Sequence, residues 1–436
     1  MISRRNILKF GFAAAAGSLL PPADFLYGQI KAEPALSPVK PLTHGPKFHW
    51  FGYYDKLQFD PAQRYVLGME VGFEHRSPTE NDVIKIGLID LKKKNKWKTI
   101  GESRAWGWQQ GCMAQWIPGS PDEVIWNDRE KDRFTSRIYN VRTGKTRTLP
   151  KAIYTLSPDG KWGLGTEFSR IQGLRPGYGY PGIEDPYLKE KAPEGTGIYK
   201  INLATGEDKL LFSLAEIAAI PHRGEFVKNN YHWFNHLLIN TDGSRFTFLH
   251  RWRHERTNRQ TMAVGGFITR MFTANMDGSN LYCIDPSGNT SHFIWQSPVH
   301  LCVYTKPEGQ EWGFYILEDQ TANIQRLGQE KMKSNGHQSF LPVGNGKEWL
   351  VCDNYASGKN RNQVPYLYHI PSDRRIDLGS FYSPPEYSGE WRCDLHPRVS
   401  PDGTKICIDS PHGGNGRQLY LIDIKPFENT THPGLD

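Results

Sequence analysis

The sequence predicts an all-β protein folded as a seven-bladed β-propeller. A recurrent turn motif, the length of the chain and its many turn-forming residues lead to this prediction. In the motif, a hydrophobic run ends in Pro, Asp and Gly, and a run rich in aromatic and β-branched residues follows. Asp-Gly between two strand-like runs is a hairpin signal, because glycine adopts the positive φ that a tight turn needs.

The motif is clearest at residues 157–160, 240–243 and 400–403, and looser versions lie at 59–61, 116–119 and 341–344. The widest interval lies between the segments at 240–243 and 341–344. It has room for one more unit, expected at 291–303. Seven units over the chain give a period of about 55 residues, a little longer than that of common propeller repeats. A propeller carries binding loops around a central channel, so functional residues are expected there.

Composition agrees with one closed β domain. Of 436 residues, 38% are hydrophobic and 12% aromatic, with 43 glycines and 30 prolines. No low-complexity stretch or composition break divides the chain, so we predict a single propeller over residues 40–428. The net charge is +7, but lysines and arginines are scattered, and the one dense basic run, at 92–96, is typical of a solvated hairpin tip. Nucleic-acid binding is therefore not predicted.

Residues 1–28 are predicted to be an export signal. Arg4 and Arg5 precede an apolar stretch, residues 10–20, that is too short to span a bilayer. Twin arginines followed by a hydrophobic residue and a lysine are typical of the Tat route, and an ordinary Sec signal is the alternative. Both signals predict a periplasmic or secreted protein, and no other segment is long and apolar enough to span a membrane.

The six cysteines are spread singly, and most lie in apolar runs, which indicates buried thiols. Cys393 and His396 lie close together in the last unit, and His337 lies in the preceding one. If the loops of these units meet, the three side chains predict a structural metal site for zinc or calcium. The alternative is a hydrogen-bonded network that joins the loops without a metal.

Clusters of polar and aromatic residues mark the expected binding surface. Trp108 and Gln109 belong to a run at 106–111 that combines indoles with amides, a mixture suited to stacking on sugars and hydrogen bonding their hydroxyls. Further clusters lie at 231–236 and 250–254, and Tyr154 and Arg170 flank one predicted turn. The sequence contains no nucleophile elbow, P-loop or HExxH pattern, which disfavours serine and zinc hydrolases of those types.

Histidine, tyrosine and arginine together favour β-elimination from a uronic acid. The reaction needs a group that neutralises the carboxylate, a base for the C5 proton and an acid for the leaving oxygen. Arg170 suits the carboxylate because its planar fork binds carboxylates in bidentate fashion. Tyr154 with His232 or His250 suits the proton transfers. No redox cofactor is needed, and a pair of glycosidase carboxylates stays an alternative.

Several runs of the sequence resemble a known family. They are His-Trp-Phe-Gly-Tyr-Tyr-Asp-Lys at 49–56, Trp-Gln-Gln-Gly at 108–111, Trp-Asn-Asp-Arg at 126–129, His-Arg-Trp at 250–252 and Gly-Glu-Trp-Arg-Cys-Asp at 389–394. They resemble secreted seven-bladed propellers that act on plant and algal polysaccharides. This group comprises ulvan lyases, rhamnosyl-glucuronate lyases and gum arabic α-L-rhamnosidases. The resemblance covers nearly the whole chain after the signal, and it does not separate the activities within the group.

The resemblance also implies site residues. Lyases of the group use a tyrosine and an arginine sixteen residues apart, a spacing matched by Tyr154 and Arg170. They use a second pair eighteen residues apart, of which the later one is histidine, as in His232 and His250. A further lyase histidine falls near Gln109, where this chain has an amide. The expected catalytic residues are thus Tyr154, Arg170, His232 and His250, and the expected substrate-binding residues are Trp108, Gln109, Asn127 and Arg251.

The predicted function is cleavage of an acidic plant or algal polysaccharide or oligosaccharide by elimination at a uronic acid next to rhamnose. One alternative is an exo-α-L-rhamnosidase that hydrolyses rhamnose-α-1,4-glucuronate linkages on the same fold. Such relatives use a histidine near the chain start, where this sequence has Phe48, with His44 and His49 as neighbours. The other alternative is a carbohydrate-binding propeller without catalysis, in which the aromatic clusters matter more than the titratable groups.

Overall fold

A computed structural model describes residues 38–256, 266–342 and 347–424. The predicted export signal at 1–28 lies outside the described residues, as do the last residues of the predicted domain, 425–428. Within the described ranges, no helix is long and apolar enough to cross a membrane.

The chain is almost entirely β. Its strands, in chain order, are β1 (Val39–Pro41), β2 (Phe48–Trp50), β3 (Tyr65–Val71), β4 (Ile84–Asp90), β5 (Lys96–Ser103), β6 (Gln115–Trp116), β7 (Glu123–Glu130), β8 (Arg133–Asn140), β9 (Thr146–Leu149), β10 (Thr155–Leu156), β11 (Trp162–Gly165), β12 (Gly197–Asn202), β13 (Asp208–Ser213), β14 (Tyr231–Ile239), β15 (Arg245–Arg253), β16 (Ile268–Asn275), β17 (Tyr282–Asp285), β18 (Phe293–Trp295), β19 (His300–Thr305), β20 (Gly313–Glu318), β21 (Ile324–Leu327), β22 (Ser339–Phe340), β23 (Trp349–Cys352), β24 (Asn362–Gln363), β25 (Tyr366–His369), β26 (Arg374–Asp377), β27 (Phe381–Tyr382), β28 (Arg398–Val399), β29 (Lys405–Ser410) and β30 (Gln418–Asp423). Two short helices, α1 (Phe168–Leu174) and α2 (Leu214–Ala218), and a 3₁₀ turn (Gly389–Trp391) complete the elements.

The strands form seven four-stranded antiparallel sheets, the blades. Blades one to five are β2–β5, β6–β9, β10–β13, β14–β17 and β18–β21, and blade six is β22, β23, β25 and β26. Blade seven is β28, β29 and β30 with β1 as its fourth strand, and Val39 pairs with Ile422. Because the first strand completes the last blade, the ring is closed by hydrogen bonds between its two ends. The small sheet of β24 and β27 lies outside this repeat.

The predicted hairpin turns join the first and second strands of the blades, and residues 343 and 344 of the turn predicted at 341–344 lie outside the described residues. Gly160, Gly243 and Gly403 in the three clearest motifs have φ values of +67°, +78° and +70°, which glycine adopts without a steric penalty. The additional unit expected at 291–303 is the hairpin of β18 and β19. The prediction of an all-β, seven-bladed propeller is therefore confirmed.

Aromatic rings fill much of the core, as between blades three and four. The Phe248 ring lies 5.5 Å from Phe272 in its own blade and 6.0 Å from Phe212 in the preceding blade, measured between centroids. Truncation of one such buried ring to alanine costs about 3–5 kcal/mol. The six cysteines are unpaired, and five of them are fully buried, in line with their apolar sequence context. The basic run at 92–96 forms the turn between β4 and β5.

Candidate functional site at the channel mouth

Three buried histidines lie one or two residues before the first strand of three consecutive blades. His292 precedes β18, His337 precedes β22 and His396 precedes β28. Because the blades surround a common channel, this shared position brings the three imidazoles together. The ring centroids of His292 and His337 are 4.3 Å apart, and those of His337 and His396 are 4.2 Å apart. We call these three residues the channel-mouth histidines.

Acceptor groups hold the Nδ1 side of two of these rings. His292 Nδ1 lies 2.9 Å from Asn335 Oδ1, and His337 Nδ1 lies 3.0 Å from Asp353 Oδ1. Asp353 also accepts hydrogen bonds from the backbone N–H groups of His337 (2.7 Å) and His396 (3.1 Å). A carboxylate or amide oxygen at Nδ1 fixes the proton there, so the Nε2 lone pair is available to a ligand.

The Nε2 atoms of His292 and His337 lie beside the same hydroxyl group. The Tyr355 hydroxyl lies 3.3 Å from Nε2 of both His292 and His337. His396 Nε2 has no hydrogen-bond partner among the described residues, and Asp394 Oδ2 is 4.0 Å from it. Burial lowers the pKa of His292 and His396 well below the usual 6.5, so both rings are neutral, the form that binds metal ions.

Local backbone features place Asp353 and His396. A Cβ atom at Gly336 would lie 1.9 Å from the Asp353 carbonyl oxygen, so only glycine allows this approach. His396 has φ +42°, a left-handed conformation that costs an ordinary residue about 1–2 kcal/mol. Its hydrogen bond to Asp353 holds it there, and residues kept in such conformations cluster at functional sites.

The donor set at the channel mouth fits a divalent transition-metal ion. His337, Asp394 and His396 each offer a ligand atom within 4.8 Å of the others, and the His292 ring adjoins them. Two imidazoles and a carboxylate with open positions suit iron- or manganese-type ions. Of the metal ligands expected from sequence, His337 and His396 thus come together, and Asp394 is the third member of this set. Burial raises the pKa of the Cys393 thiol, which keeps it protonated and a poor ligand.

Two arginines flank a buried tyrosine beside this space. Arg392 donates from Nη2 to the Tyr178 hydroxyl (2.7 Å) and from Nε to Asp394 Oδ2 (2.7 Å). The Arg175 guanidinium lies 4.0 Å above the Tyr178 ring, and its buried Nη1 has no partner in the described ranges. Burial acts to raise the pKa of Tyr178, but the charges of Arg175 and Arg392 outweigh burial and lower that pKa below 10.

A buried ion pair lies farther along the channel. Lys56 Nζ is 3.0 Å from Asp55 Oδ2, and His236 Nε2 is 3.5 Å from the same oxygen. Burial acts to raise the pKa of Asp55, but Lys56 and His236 lower it to about 2. Tyr154 lies above Lys56, with the ammonium 5.3 Å from its ring centroid, and its hydroxyl donates to Gln110 Oε1 (2.9 Å). Asp55 and Lys56 also line a cavity of about 480 Å³ between the first hairpin turns of the blades.

Arg170, expected to bind a carboxylate, lies buried in α1 with its five N–H groups all engaged by the protein. Nε donates to the His232 carbonyl (2.6 Å), and Nη1 donates to Asp185 Oδ2 (3.0 Å) and the carbonyl of residue 187. Nη2 donates to the carbonyls of residues 190 and 191. Since a guanidinium has five N–H donors, none is left for a substrate in this structure. Arg170 instead fastens the segment after α1 to blade four.

His232 and His250 lie on neighbouring strands of blade four and form a closed hydrogen-bond chain. Arg270 Nε donates to His250 Nδ1 (3.1 Å), His250 Nε2 bonds to His232 Nδ1 (2.8 Å), and His232 Nε2 donates to the Val227 carbonyl (2.8 Å). Burial lowers the pKa of His232 to about 4 and that of His250 well below 6.5. Both rings are neutral, stacked and without a nitrogen left for a substrate.

The expected sugar-binding residues lie at different places. Gln109 donates from Nε2 to the carbonyls of residues 390 (2.8 Å) and 392 (3.2 Å), so it joins the segment that carries Arg392. The Asn127 amide donates to the carbonyl of residue 153 and to the Tyr180 hydroxyl. Its oxygen accepts from residues 136 and 153. Asn127 is therefore fully bonded between blades two and three, whereas Gln109 adjoins the channel mouth.

Trp108 and Arg251 contact other side chains rather than the histidines. Trp108 donates from Nε1 to the carbonyl of residue 76 (2.7 Å), and Arg417 lies 4.2 Å from its ring centroid. Arg251 donates from Nε to Thr269 Oγ1 (3.1 Å). Trp108 and Arg251 are both buried, so the indole and guanidinium are packed within the protein.

The histidines relevant to the rhamnosidase alternative line a separate cavity of about 320 Å³. His49 is buried and lies 2.9 Å from Gln418 Oε1 and 3.3 Å from Glu70 Oε2, and His44 is exposed. Burial is the main cause that lowers the pKa of His49. None of the residues that line this cavity belongs to the channel-mouth set.

Sequence reasoning missed His292, Asp353, Tyr355, Tyr178 and Arg175. His292 had a usable signal, since it precedes a first strand as His337 and His396 do. Tyr178 and Arg175 lie in the long segment between β11 and β12, which carries no periodic pattern. Only the folded chain brings that segment beside Arg392.

Comparison with known proteins gives matches in structure alone. No family model matches the sequence, and no curated protein matches it. An oligogalacturonate lyase from Vibrio parahaemolyticus superposes with a TM-score of 0.59 at 14% identity, over 89% of this chain and 93% of that one. An oligogalacturonate lyase in complex with manganese superposes with a TM-score of 0.61 at 15% identity, over 90% of this chain and 94% of that one. At this identity the likeness establishes the shared propeller fold.

Proposed function

We propose that this protein is a lyase that cleaves an acidic polysaccharide or oligosaccharide by β-elimination at a uronic acid. The channel mouth carries this proposal, because neutral imidazoles, a carboxylate and a tyrosine between two guanidiniums meet there. These groups match the needs of elimination: positive charge at a carboxylate, and a base beside it. The fold shared with two oligogalacturonate lyases supports the same class of reaction.

Arg175 and Arg392 are the proposed carboxylate-binding groups. Arg175 Nη1 is buried without a hydrogen-bond partner among the described residues, and an unsatisfied buried donor costs about 1–3 kcal/mol. A substrate carboxylate placed there would restore the missing bond. Arg392 stands on the other side of Tyr178, where it is oriented by Asp394. In this proposal these two arginines take the role that the sequence suggested for Arg170.

The channel-mouth histidines and Asp394 are the proposed ligands of a divalent cation of the manganese type. When bound, the cation would supply positive charge beside the uronate carboxylate and so make the C5 proton more acidic. Asn335 and Asp353 orient His292 and His337 for this purpose through their Nδ1 atoms.

Tyr178 is the proposed base. Its lowered pKa increases the fraction of phenolate at neutral pH, which is the form that accepts a proton. A carboxylate held by Arg175 and Arg392 would place the adjoining C5–H bond beside the Tyr178 oxygen, because both guanidiniums contact this residue. Tyr178 thus replaces His232 and His250 in our account, since their nitrogens are bonded within blade four.

We propose that the substrate is glucuronate next to rhamnose, as in ulvan or gum arabic, because the runs at 49–56, 108–111, 126–129, 250–252 and 389–394 resemble propellers that act on such glycans. We also propose that the protein is exported, on the basis of the twin arginines Arg4 and Arg5 before a short apolar stretch.

The test is a substrate panel of ulvan, gum arabic and polygalacturonate, assayed with and without manganese. Elimination creates a C4=C5 double bond conjugated to the carboxylate, so ultraviolet absorbance follows the reaction directly. We expect absorbance to rise with at least one polymer, and the rise to stop when a chelator is added. If absorbance stays flat with all three polymers and with oligogalacturonates, the lyase proposal is refuted.

Free rhamnose without a rise in absorbance would support the exo-α-L-rhamnosidase instead. The observation in favour of that alternative is the cavity of about 320 Å³ that contains the His49–Glu70 contact. In that case a His49→Gln variant would lose rhamnose release, whereas the same substitution leaves a lyase at the channel mouth active.

A further inference from the structure

A cavity of about 360 Å³ lies beside the start of α1, and none of its lining residues belongs to the channel-mouth set. Most of these residues come from the turn between β7 and β8, the link between β9 and β10, and the chain on either side of α1. In the antiparallel blades, these three segments lie at the end where the first strands begin. The channel-mouth histidines also precede first strands, so the cavity and the channel mouth lie on one face of the propeller. The volume of the cavity is in the range of sites that bind small ligands.

The cavity combines buried aromatic rings with charged side chains that the protein leaves unpaired. Phe134 and Phe168, which line it, are buried, whereas Asp132, Arg133 and Glu184 are exposed. None of these three charged groups forms an ion pair with a residue that the structure describes. Polar groups placed around an apolar recess are typical of sites that orient a polar ligand.

Glu167 is half-buried in the cavity wall and uses only one of its oxygens within the protein. Oε1 accepts hydrogen bonds from the Ser169 N–H (3.2 Å) and the Ser169 hydroxyl (2.6 Å), which caps α1. Oε2 forms no hydrogen bond with any described residue. Burial raises the pKa of Glu167, a sign that the protein does not fully replace the water around this charge. The second oxygen is therefore an acceptor available to a ligand hydroxyl.

Lys151 offers donors to the same cavity. Its Nζ lies 3.8 Å from the Tyr199 ring centroid, a cation–π contact that orients the ammonium. The nearest atom of the Asp208 carboxylate is 3.6 Å away, which is longer than a hydrogen bond. The ammonium therefore has no hydrogen-bond acceptor within the described ranges, and its N–H groups are available to an anion.

We propose that this cavity binds a uronate unit of the polysaccharide remote from the bond that is cleaved, an inference that rests on the proposed function. Lys151 and Arg133 bind the uronate carboxylate, and Glu167 Oε2 accepts a hydrogen bond from a sugar hydroxyl. Because the cavity and the channel mouth share one face, a long chain occupies both, whereas a short oligosaccharide occupies the channel mouth alone. The cavity thus lowers KM for polymers and not for short oligosaccharides.

The test removes one ligand-binding group at a time and keeps its structural contact. In Glu167→Gln the amide oxygen still caps α1, but an NH₂ group replaces the free acceptor, and in Lys151→Met the apolar stem still covers Tyr199. Both variants should keep the wild-type thermal midpoint. Their KM should rise by about 10–100-fold on the polymer, the effect of losing a hydrogen bond to a charged group, with kcat nearly unchanged. KM for the shortest oligosaccharide that the enzyme cleaves should not change. Glu123→Gln, the same charge change at the opposite end of blade two, is the matched control.

Affinity electrophoresis, with a chelator present to stop cleavage, measures binding without catalysis. Gels that contain ulvan or gum arabic should retard the wild type, a gel with neutral dextran should not, and both variants should be retarded less. Equal retardation of the wild type and both variants, equal rises in KM on polymer and oligosaccharide, or retardation by dextran would overturn the cavity as a uronate site and leave the lyase proposal in place. If the acidic polymers retard the wild type more than the variants but are never cleaved, the binding site stands and the lyase function is refuted.

Discussion

The channel-mouth histidines and the His232–His250 pair are all buried, yet they differ in where their nitrogens point. In blade four, each nitrogen of the pair is bonded to a neighbour, from Arg270 through to the Val227 carbonyl. At the channel mouth, hydrogen bonds hold Nδ1 of His292 and His337, whose Nε2 atoms share the Tyr355 hydroxyl, and His396 Nε2 has no partner among the described residues. Low pKa and burial therefore do not distinguish a functional histidine from a structural one. The direction of the remaining nitrogen lone pair distinguishes the two kinds of histidine.

The largest effect is expected from His396→Asn. Asparagine tolerates positive φ and the replaced Nε2 bonds no described residue, so the fold should be retained. The loss of one metal ligand should reduce kcat/KM by about 10²–10³-fold, the range for the loss of one electrostatic group at a reacting centre. Initial rates of double-bond formation measure this loss. His250→Phe is the matched control in blade four. An equal loss of kcat/KM in both variants would contradict the functional difference between the channel-mouth histidines and the blade-four pair.

A second variant, Asp353→Asn, tests how the channel-mouth histidines are oriented. The neutral amide is a weaker acceptor for His337 Nδ1 and for two backbone N–H groups. Metal affinity should fall by about 10–100-fold, as is usual when an outer partner of a ligand is lost. Calorimetric titration with manganese measures this affinity directly, without any substrate. Unchanged affinity would show that Asp353 serves the fold rather than the metal ligands.

In blade four, His250→Phe should act on stability. The substitution leaves Arg270 Nε and His232 Nδ1 without their partners, and each unsatisfied buried group costs about 1–3 kcal/mol. The free energy of unfolding in urea should fall by a similar amount, while kcat of the folded enzyme stays near wild type. A variant that is inactive but as stable as the wild type would restore His250 to the list of catalytic candidates.

The smallest expected effect is on the pH dependence of stability. The pKa of His232 is about 4 in the folded protein and about 6.5 in the unfolded chain, so between these values the unfolded state binds more protons. The stability contributed by the neutral pair is complete above about pH 6.5 and is lost as pH falls toward 4. Urea unfolding at several pH values should show this slope in the wild type, and a shallower slope in a variant that lacks both histidines. Equal slopes would exclude the pair as its source.

The fold was predictable because the turn between the first and second strands recurs with the same chemistry. Asp-Gly at residues 159–160, 242–243 and 402–403 needs positive φ at the glycine, and the structure has it at each position. Hydrophobic runs around the turns then gave the number of blades, including the unit at β18 and β19 that lacks the motif.

The site was only partly predictable, since residue spacing does not show which way a side chain faces. The spacing of sixteen residues between Tyr154 and Arg170, and that of eighteen between His232 and His250, led to residues that partly meet, because Arg170 donates to the His232 carbonyl. They meet inside the protein, where their hydrogen bonds are complete. The closeness of His337 and His396 was expected from their place in the last two units. That Asp394 and His292 lie beside them is seen only in the closed ring of blades.

The most direct measurement is a crystal structure of the protein soaked with manganese and an oligouronate, with anomalous scattering recorded at the manganese edge. Our account predicts one anomalous peak among His292, His337, Asp394 and His396, and a substrate carboxylate against Arg175 and Arg392. A metal peak elsewhere, or the sugar bound in the cavity that contains His44 and His49, would contradict the assignment of the channel mouth as the active site.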